Sequence, residues 1–206
     1  MTTVSKHRRD GGIALGAYAA ILAIVTLTGL GALAVALGQP LLFPSIGPTV
    51  MVLAERPRSA SAHPRNVVVG HAVGVAAGVA SLLLFGLWHA PAVTLDGITA
   101  ARIAAATVSV ALTAFVLQTV HAPHAPAGAT TLIVSLGLMK TVPELLAILA
   151  AIAFVTMVAT VSNRVTGNRT RLDESREPTP LPDPAPNTPA PRRGAKHNSD
   201  QAAVSN

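Results

Sequence analysis

The stretch HAPHAPAGATTLIVSLGLM, residues 121–139, sets two histidines, two prolines and a glycine directly before an apolar run too short to cross a bilayer as a helix. A spanning helix needs roughly 20 apolar residues, so the reading of this broken piece decides how the chain is threaded. Long apolar runs lie on both sides of it, Ala100–Val120 before and Pro143–Val161 after. Two more lie upstream, Ile13–Leu37 and Val67–Trp88. Ile13–Leu37 follows a basic start but is much longer than the roughly 7 to 15 apolar residues of a signal peptide, and is read as a retained span. Arg102 and Glu144, close to span ends, are expected to reach for the interface. Asn66 is placed to cap the second span.

A second broken piece, LLFPSIGPTVMVLA at residues 41–54, shares the pattern of the first. Gly47 and Thr49 match Gly128 and Thr130, each with a proline just before and a short apolar run just after. The chain thus reads as long span, broken segment, long span, repeated once as a weak internal duplication. The fold class is all-α: a polytopic helical membrane protein with four long transmembrane helices and two short broken segments. Its expected divisions are a basic N-terminus over 1–12, a transmembrane domain over 13–162 with units at about 13–88 and 100–162, and a tail over 163–206. The tail is rich in proline and charge, as in REPTPLPDPAPNTPAPRRGAKHNSD, and is expected to be disordered.

Composition agrees. Of 206 residues half are hydrophobic and only 12% charged, with a mean hydropathy of +0.52, which points away from soluble averages. The cations cluster at Lys6, Arg8 and Arg9, at Arg56, Arg58 and Arg65, and at Arg164, Arg169 and Arg171, as membrane-flanking anchors do. Nucleic-acid binding is the weaker reading, and no nucleic-acid partner is expected, because aromatics that stack bases make up only 3% and no basic stripe is present. The chain has no cysteine, which removes disulfides, thiolate catalysis and Cys-ligated metals.

An extended approach of about 7 residues covers roughly 20 Å and a helix of about 8 to 12 residues adds roughly 12 to 18 Å, so each broken segment is long enough to cross. If both cross, the loop with Arg56, Arg58 and Arg65 and the basic tail share the N-terminal, cytoplasmic side of a plasma or inner membrane. The rival arrangement is four spans with two re-entrant loops.

Non-helical backbone at membrane depth survives only inside protein or beside a water-filled cavity. The two short helices, expected to begin just after Gly47 and Gly128 with Pro48 in the first turn, would then point their N-termini at each other near mid-depth. Each such end carries about half a positive charge and free N–H groups. That suits a small inorganic anion. The expected binding residues are Ser45, Gly47, Thr49, His71, His121, His124, Gly128, Ala129 and Thr130, with the histidines adding a titratable charge or carrying a proton.

Plainer readings compete. The prolines and glycines can simply shape connections, and Gly70, Gly74 and Gly78 form a small-residue face that lets another helix approach. His63 and His89 are read as incidental loop residues. No metal or other cofactor is expected, since HAPH supplies too few ligands, and no catalytic residue set is apparent, so the chain is not read as an enzyme.

These motifs resemble the HPP family of integral membrane proteins. HAPAGAT, His124–Thr130, is similar to the family's H-P-P-A-G-A-T, HPRNVVVGH, His63–His71, to its Q-P-R-N-x-x-x-G-H, and FPSIGPTVMVLA to its first F-G-A-[ST] stretch. The likeness covers roughly residues 12–165, with the motifs in family order. Ala125 replaces the first motif proline, which would loosen the loop and relax selectivity, and His63 stands where glutamine is usual. The resemblance implies four spans and motif positions at Pro64, Arg65, Asn66, Gly70, His71, His124, Pro126, Gly128 and Thr130. It also implies, through some plant and cyanobacterial members, nitrite transport; most members have no assigned function. The expected function is therefore a permease or channel-like transporter for a small anion such as nitrite. The alternative is a membrane scaffold recruiting a partner through its tail. Expected partners are the lipid bilayer and a small inorganic anion, with homo-oligomerisation left open.

Overall fold

The computed structural model describes residues 2–167, with side chains from residue 12 onward. The tail from 168 onward, with Arg169 and Arg171, lies outside the described residues, as do the side chains of Lys6, Arg8 and Arg9. Seven α-helices and one 3-10 turn, Ala60–Ala62, make up the regular structure here: α1 Thr2–Leu37, α2 Ile46–Glu55, α3 Pro64–Leu84, α4 Val93–Asp96, α5 Ala100–Thr119, α6 Ala127–Ser135 and α7 Val142–Val165. Four of them, α1 from Gly12, α3, α5 and α7, are long and apolar enough to cross a membrane. Large apolar side chains such as Ile21, Ile24, Phe115 and Met157 point outward from the bundle, a surface suited to lipid.

Local chemistry sets the helix starts. α3 opens with Pro64, whose missing N–H costs nothing in a first turn, and His63 Nδ1 accepts the Arg65 N–H at 3.2 Å. The cap is thus His63, which the sequence left as incidental, while Asn66, the expected cap, donates Nδ2 to the Ala60 carbonyl at 2.8 Å. At α7 the Glu144 carboxylate stays at the helix start and accepts the Lys140 and Thr141 N–H groups, both at 2.9 Å. Ile46 and Ala127 open α2 and α6, so each glycine sits inside the first turn and not before it.

Contacts fix the direction of every helix. Tyr18 of α1 donates to Asn163 Oδ1 of α7 at 2.6 Å, and at the far end Leu33 and Leu37 share an apolar cavity with Pro143 and Leu146, so α1 and α7 are antiparallel. Asn163 also donates Nδ2 to the Leu53 carbonyl at 3.1 Å, which places the end of α2 with the end of α7. Asn163, the first residue of the tail as read from the sequence, is 1% exposed and lies within α7. Along α3, a Cβ on Gly70 would lie 2.9 Å from His124 Cβ, on Gly74 2.8 Å from the Ala127 carbonyl oxygen and on Gly78 2.6 Å from Val134 Cβ. The glycine face therefore seats α6 parallel to α3, as expected for small-residue packing. α5 runs opposite to α6: Arg102 at its start reaches the Ser135 carbonyl at the end of α6, and further along Thr113 Oγ1 lies 2.9 Å from Thr131 Oγ1.

These directions thread the two broken segments. Residues 38–55 lead from the far end of α1 to the side where α3 begins, and residues 120–136 lead back the opposite way. Each descends as non-helical chain to mid-bundle and leaves as a short helix, so the short helices point away from a shared centre. That is the crossing arrangement, with four long helices and two composite passages.

Arg102 departs from expectation. It does not reach for the interface; it is 1% exposed, and its guanidinium binds the Pro91 and Ser135 carbonyls. A cation at the C-terminal end of α6 offsets the partial negative charge there, which makes burial tolerable.

Candidate functional site

His71 is the eighth residue of α3, about 10 Å along the axis from its start. Its neighbours Gly70 and Gly74 let the chain around His124 and α6 close directly onto α3, which is how two histidines 53 residues apart meet. His71 Nε2 lies 3.1 Å from His124 Nε2, the rings edge to face with centroids 5.0 Å apart. On its other side His71 Nδ1 lies 2.7 Å from Thr130 Oγ1 in the first turns of α6, and Nε2 is also 3.1 Å from Thr49 Oγ1 of α2. Thr130 and Ser45, the residue that precedes α2, join hydroxyls at 2.7 Å. Thr49 donates to the Ser45 carbonyl at 2.8 Å, and His124 Nδ1 donates to the Ser61 carbonyl at 2.8 Å.

Ser45, Thr49, His71, His124 and Thr130 are all at most 1% exposed. Five of the nine expected residues thus form one buried network that ties the start of α2 to the start of α6. Gly47 and Gly128 flank it with open space where a Cβ would project. Gly128 and His124 line a cavity of about 440 Å³ whose other walls include Ser61, Thr113, Leu117 and Gln118. Of the two buried histidines, His124 borders this cavity.

Two expected residues stand outside the network. His121 is exposed and takes a positive φ of 52°, where it turns the chain out of α5. Ala129 contributes no side-chain donor, and its N–H is bound to the Pro126 carbonyl at 3.1 Å. The Ala127 and Gly128 amides are likewise bound, to His124 and Ala125 carbonyls at 3.1 Å each. The expectation of free amides at both helix starts is therefore corrected: a tight 3-10-like turn uses those of residues 127, 128 and 129, and at α2 the Ile46 and Thr49 amides are bound to the Phe43 and Ser45 carbonyls at 3.0 and 3.3 Å. What remains for a ligand is the dipole of each helix, which such bonds leave aligned, and the hydroxyl and imidazole groups. Two imidazole nitrogens are the strong metal donors here, and no third His, Cys, Asp or Glu joins them among the described residues.

The family described as HPP, transmembrane region, matches residues 7–171. The chain belongs to the HPP family. No curated protein and no solved structure matched it. In this HPP protein the motif His124–Thr130 and the motif His63–His71 are one site in space, joined by the His71–His124 contact. Ala125, in place of a motif proline, is exposed and lines the cavity, so the substitution falls on the wall of the approach and not inside the network. The HPP domain is an integral, multi-pass membrane protein: family and apolar helices say the same thing.

Sequence reading missed the Ser61 carbonyl, the Thr113–Thr131 hydroxyl pair and Gln118. Thr113 and Thr131 carried a faint signal, being polar residues inside apolar runs; Ser61 had none, because a backbone carbonyl has no residue signature.

Proposed function

We propose that this HPP protein is a permease or channel-like transporter that passes a small monovalent anion, with nitrite as the species suggested by the family. One observation carries the reading: the starts of two oppositely directed short helices meet at a buried cluster of neutral donors. Two aligned helix ends supply about half a positive charge each, without a permanent cation that would hold the ion too tightly. Ser45, Thr49, Thr130, His71 and His124 would replace part of the hydration shell, and the cavity beside Gly128 would admit the ion. Binding and release do the work, and no bond of the substrate is broken. The arginines at 56, 58 and 65 favour a cytoplasmic position for that loop and both termini in a plasma or inner membrane.

Reconstitution into liposomes tests this with nitrite, nitrate and chloride gradients. The wild type should carry at least one of them, and Gly128→Leu, whose side chain would enter the cavity, should insert and fold but carry little. Folded wild-type protein without flux for any small anion would end the reading.

A further inference from the structure

The hydrogen bonds of the buried cluster constrain where protons sit. A carbonyl only accepts, so His124 carries its proton on Nδ1, facing Ser61 at 2.8 Å. Thr49 has one hydroxyl proton and gives it to the Ser45 carbonyl at 2.8 Å. The remaining contacts, between Ser45 and Thr130, Thr130 and His71 Nδ1, and His71 Nε2 and His124 Nε2, can be satisfied in two ways, of which the second has the direction the structure shows, Thr130 donating to Ser45 at 2.7 Å, and the first needs both hydroxyls rotated.

In the first, Ser45 donates to Thr130, Thr130 donates to His71 Nδ1, and His71 Nε2–H donates to the bare Nε2 of His124. The histidine pair is neutral and every hydroxyl proton is in use. In the second the chain runs backwards: His71 Nδ1–H donates to Thr130, Thr130 donates to Ser45, and the two facing Nε2 atoms hold one proton between them. Compared with the first, one proton has entered and none has left. The pair now carries one positive charge, and the Ser45 O–H at the start of α2 is free to bind something else.

Resting on the permease reading above, we infer that the site takes up its anion together with one proton, so that an electrically neutral pair crosses. The same proton that charges the histidines releases the hydroxyl an anion needs, while an anion in turn neutralises the charge left on the pair. The groups facing the pair from α2 and α6 are the hydroxyls of Thr49 and Thr130, and from the 3-10 turn a carbonyl. Charged groups on the other packed helices lie elsewhere: Arg102 of α5 at the far end of α6, Glu144 at the start of α7, and Arg164 near its end. Protons reach His124 through the cavity lined by Ser61 and Gln118.

The test uses full-length protein in liposomes loaded with a pH-sensitive dye, with nitrite or chloride outside and the membrane potential clamped by potassium and valinomycin. Protein-free liposomes subtract the leak of neutral nitrous acid. The expected result is one proton per anion, flux insensitive to the clamped potential, and a rise of about tenfold per unit fall in pH below saturation. In His124→Gln, which can hydrogen-bond but not take a proton, that pH dependence should flatten. Wild-type flux that carries no proton and follows the potential overturns the coupling while leaving the permease standing. No flux in folded wild type removes the permease; proton uptake on adding chloride or nitrite to purified, weakly buffered protein then decides the coupling, its absence overturning it. A metal ion on the two Nε2 atoms of the protein as purified, read by X-ray absorption, would replace the shared proton and also overturn it.

Discussion

Ser45 and Thr130, 85 residues apart, hold their hydroxyl oxygens 2.7 Å from one another in the middle of the bundle. One stands before α2 and the other in the opening turns of α6, so this contact is the point at which two oppositely directed short helices meet. Because the chain has no cysteine, the juxtaposition can be probed cleanly. The double variant Ser45→Cys with Thr130→Cys should cross-link in membranes under mild oxidation, and either single variant should not. Failure to cross-link, with the double variant inserted and folded, would separate the two starts.

Threading gives a second expectation. Arg58 lies in the loop on the side where α3 starts, and Gln39 lies in the turn that follows α1, on the opposite side, with only the first broken segment between them. Single cysteines at these positions, labelled with an impermeant thiol reagent, should react from opposite faces of the membrane. Labelling of both from one face would require the re-entrant arrangement.

Stability should depend steeply on the glycine face of α3. Gly78→Val asks for a Cβ within 2.6 Å of Val134 Cβ and 3.1 Å of a backbone carbonyl, so α3 and α6 must move apart; overpacking of this kind costs about 1–3 kcal/mol. Gly128→Ala meets open space and should leave the melting temperature nearly unchanged. Detergent thermal unfolding of the two variants distinguishes a packing glycine from one that borders the cavity, and equal losses would contradict the assignment.

Arg102→Leu should be among the most damaging single changes outside the histidine cluster. It leaves the Pro91 and Ser135 carbonyls without their donor, and an unmet buried polar group costs about 1–3 kcal/mol. Thr26→Val works the other way. Thr26 is fully buried in α1 with its hydroxyl unpartnered, so the isosteric valine should keep or raise the melting temperature. A marked drop would mean the hydroxyl has a partner in the membrane.

The sequence carried the fold because the physics of a bilayer is coarse: runs of about 20 apolar residues and arginines beside them mark the long helices. It carried the meeting of the short helices as well, since proline and glycine at matching positions leave few other ways to satisfy broken backbone at that depth. Finer features depended on packing partners. Nothing near His63 signals that its ring, and not the Asn66 amide, caps α3. His121 and His124 look alike in HAPH, yet the chain reverses at His121 and turns one outward and the other inward. Arg102 reads as an interfacial cation until the end of α6 is seen beside it.

The most direct measurement is the position of a bound anion, found by anomalous scattering from crystals grown in bromide at a concentration that competes with transported anion. The account predicts a bromide peak among Ser45, His71, His124 and Thr130, reduced in His71→Ala. Bromide confined to the arginine-rich loop, with the buried cluster empty while transport is inhibited, would contradict it.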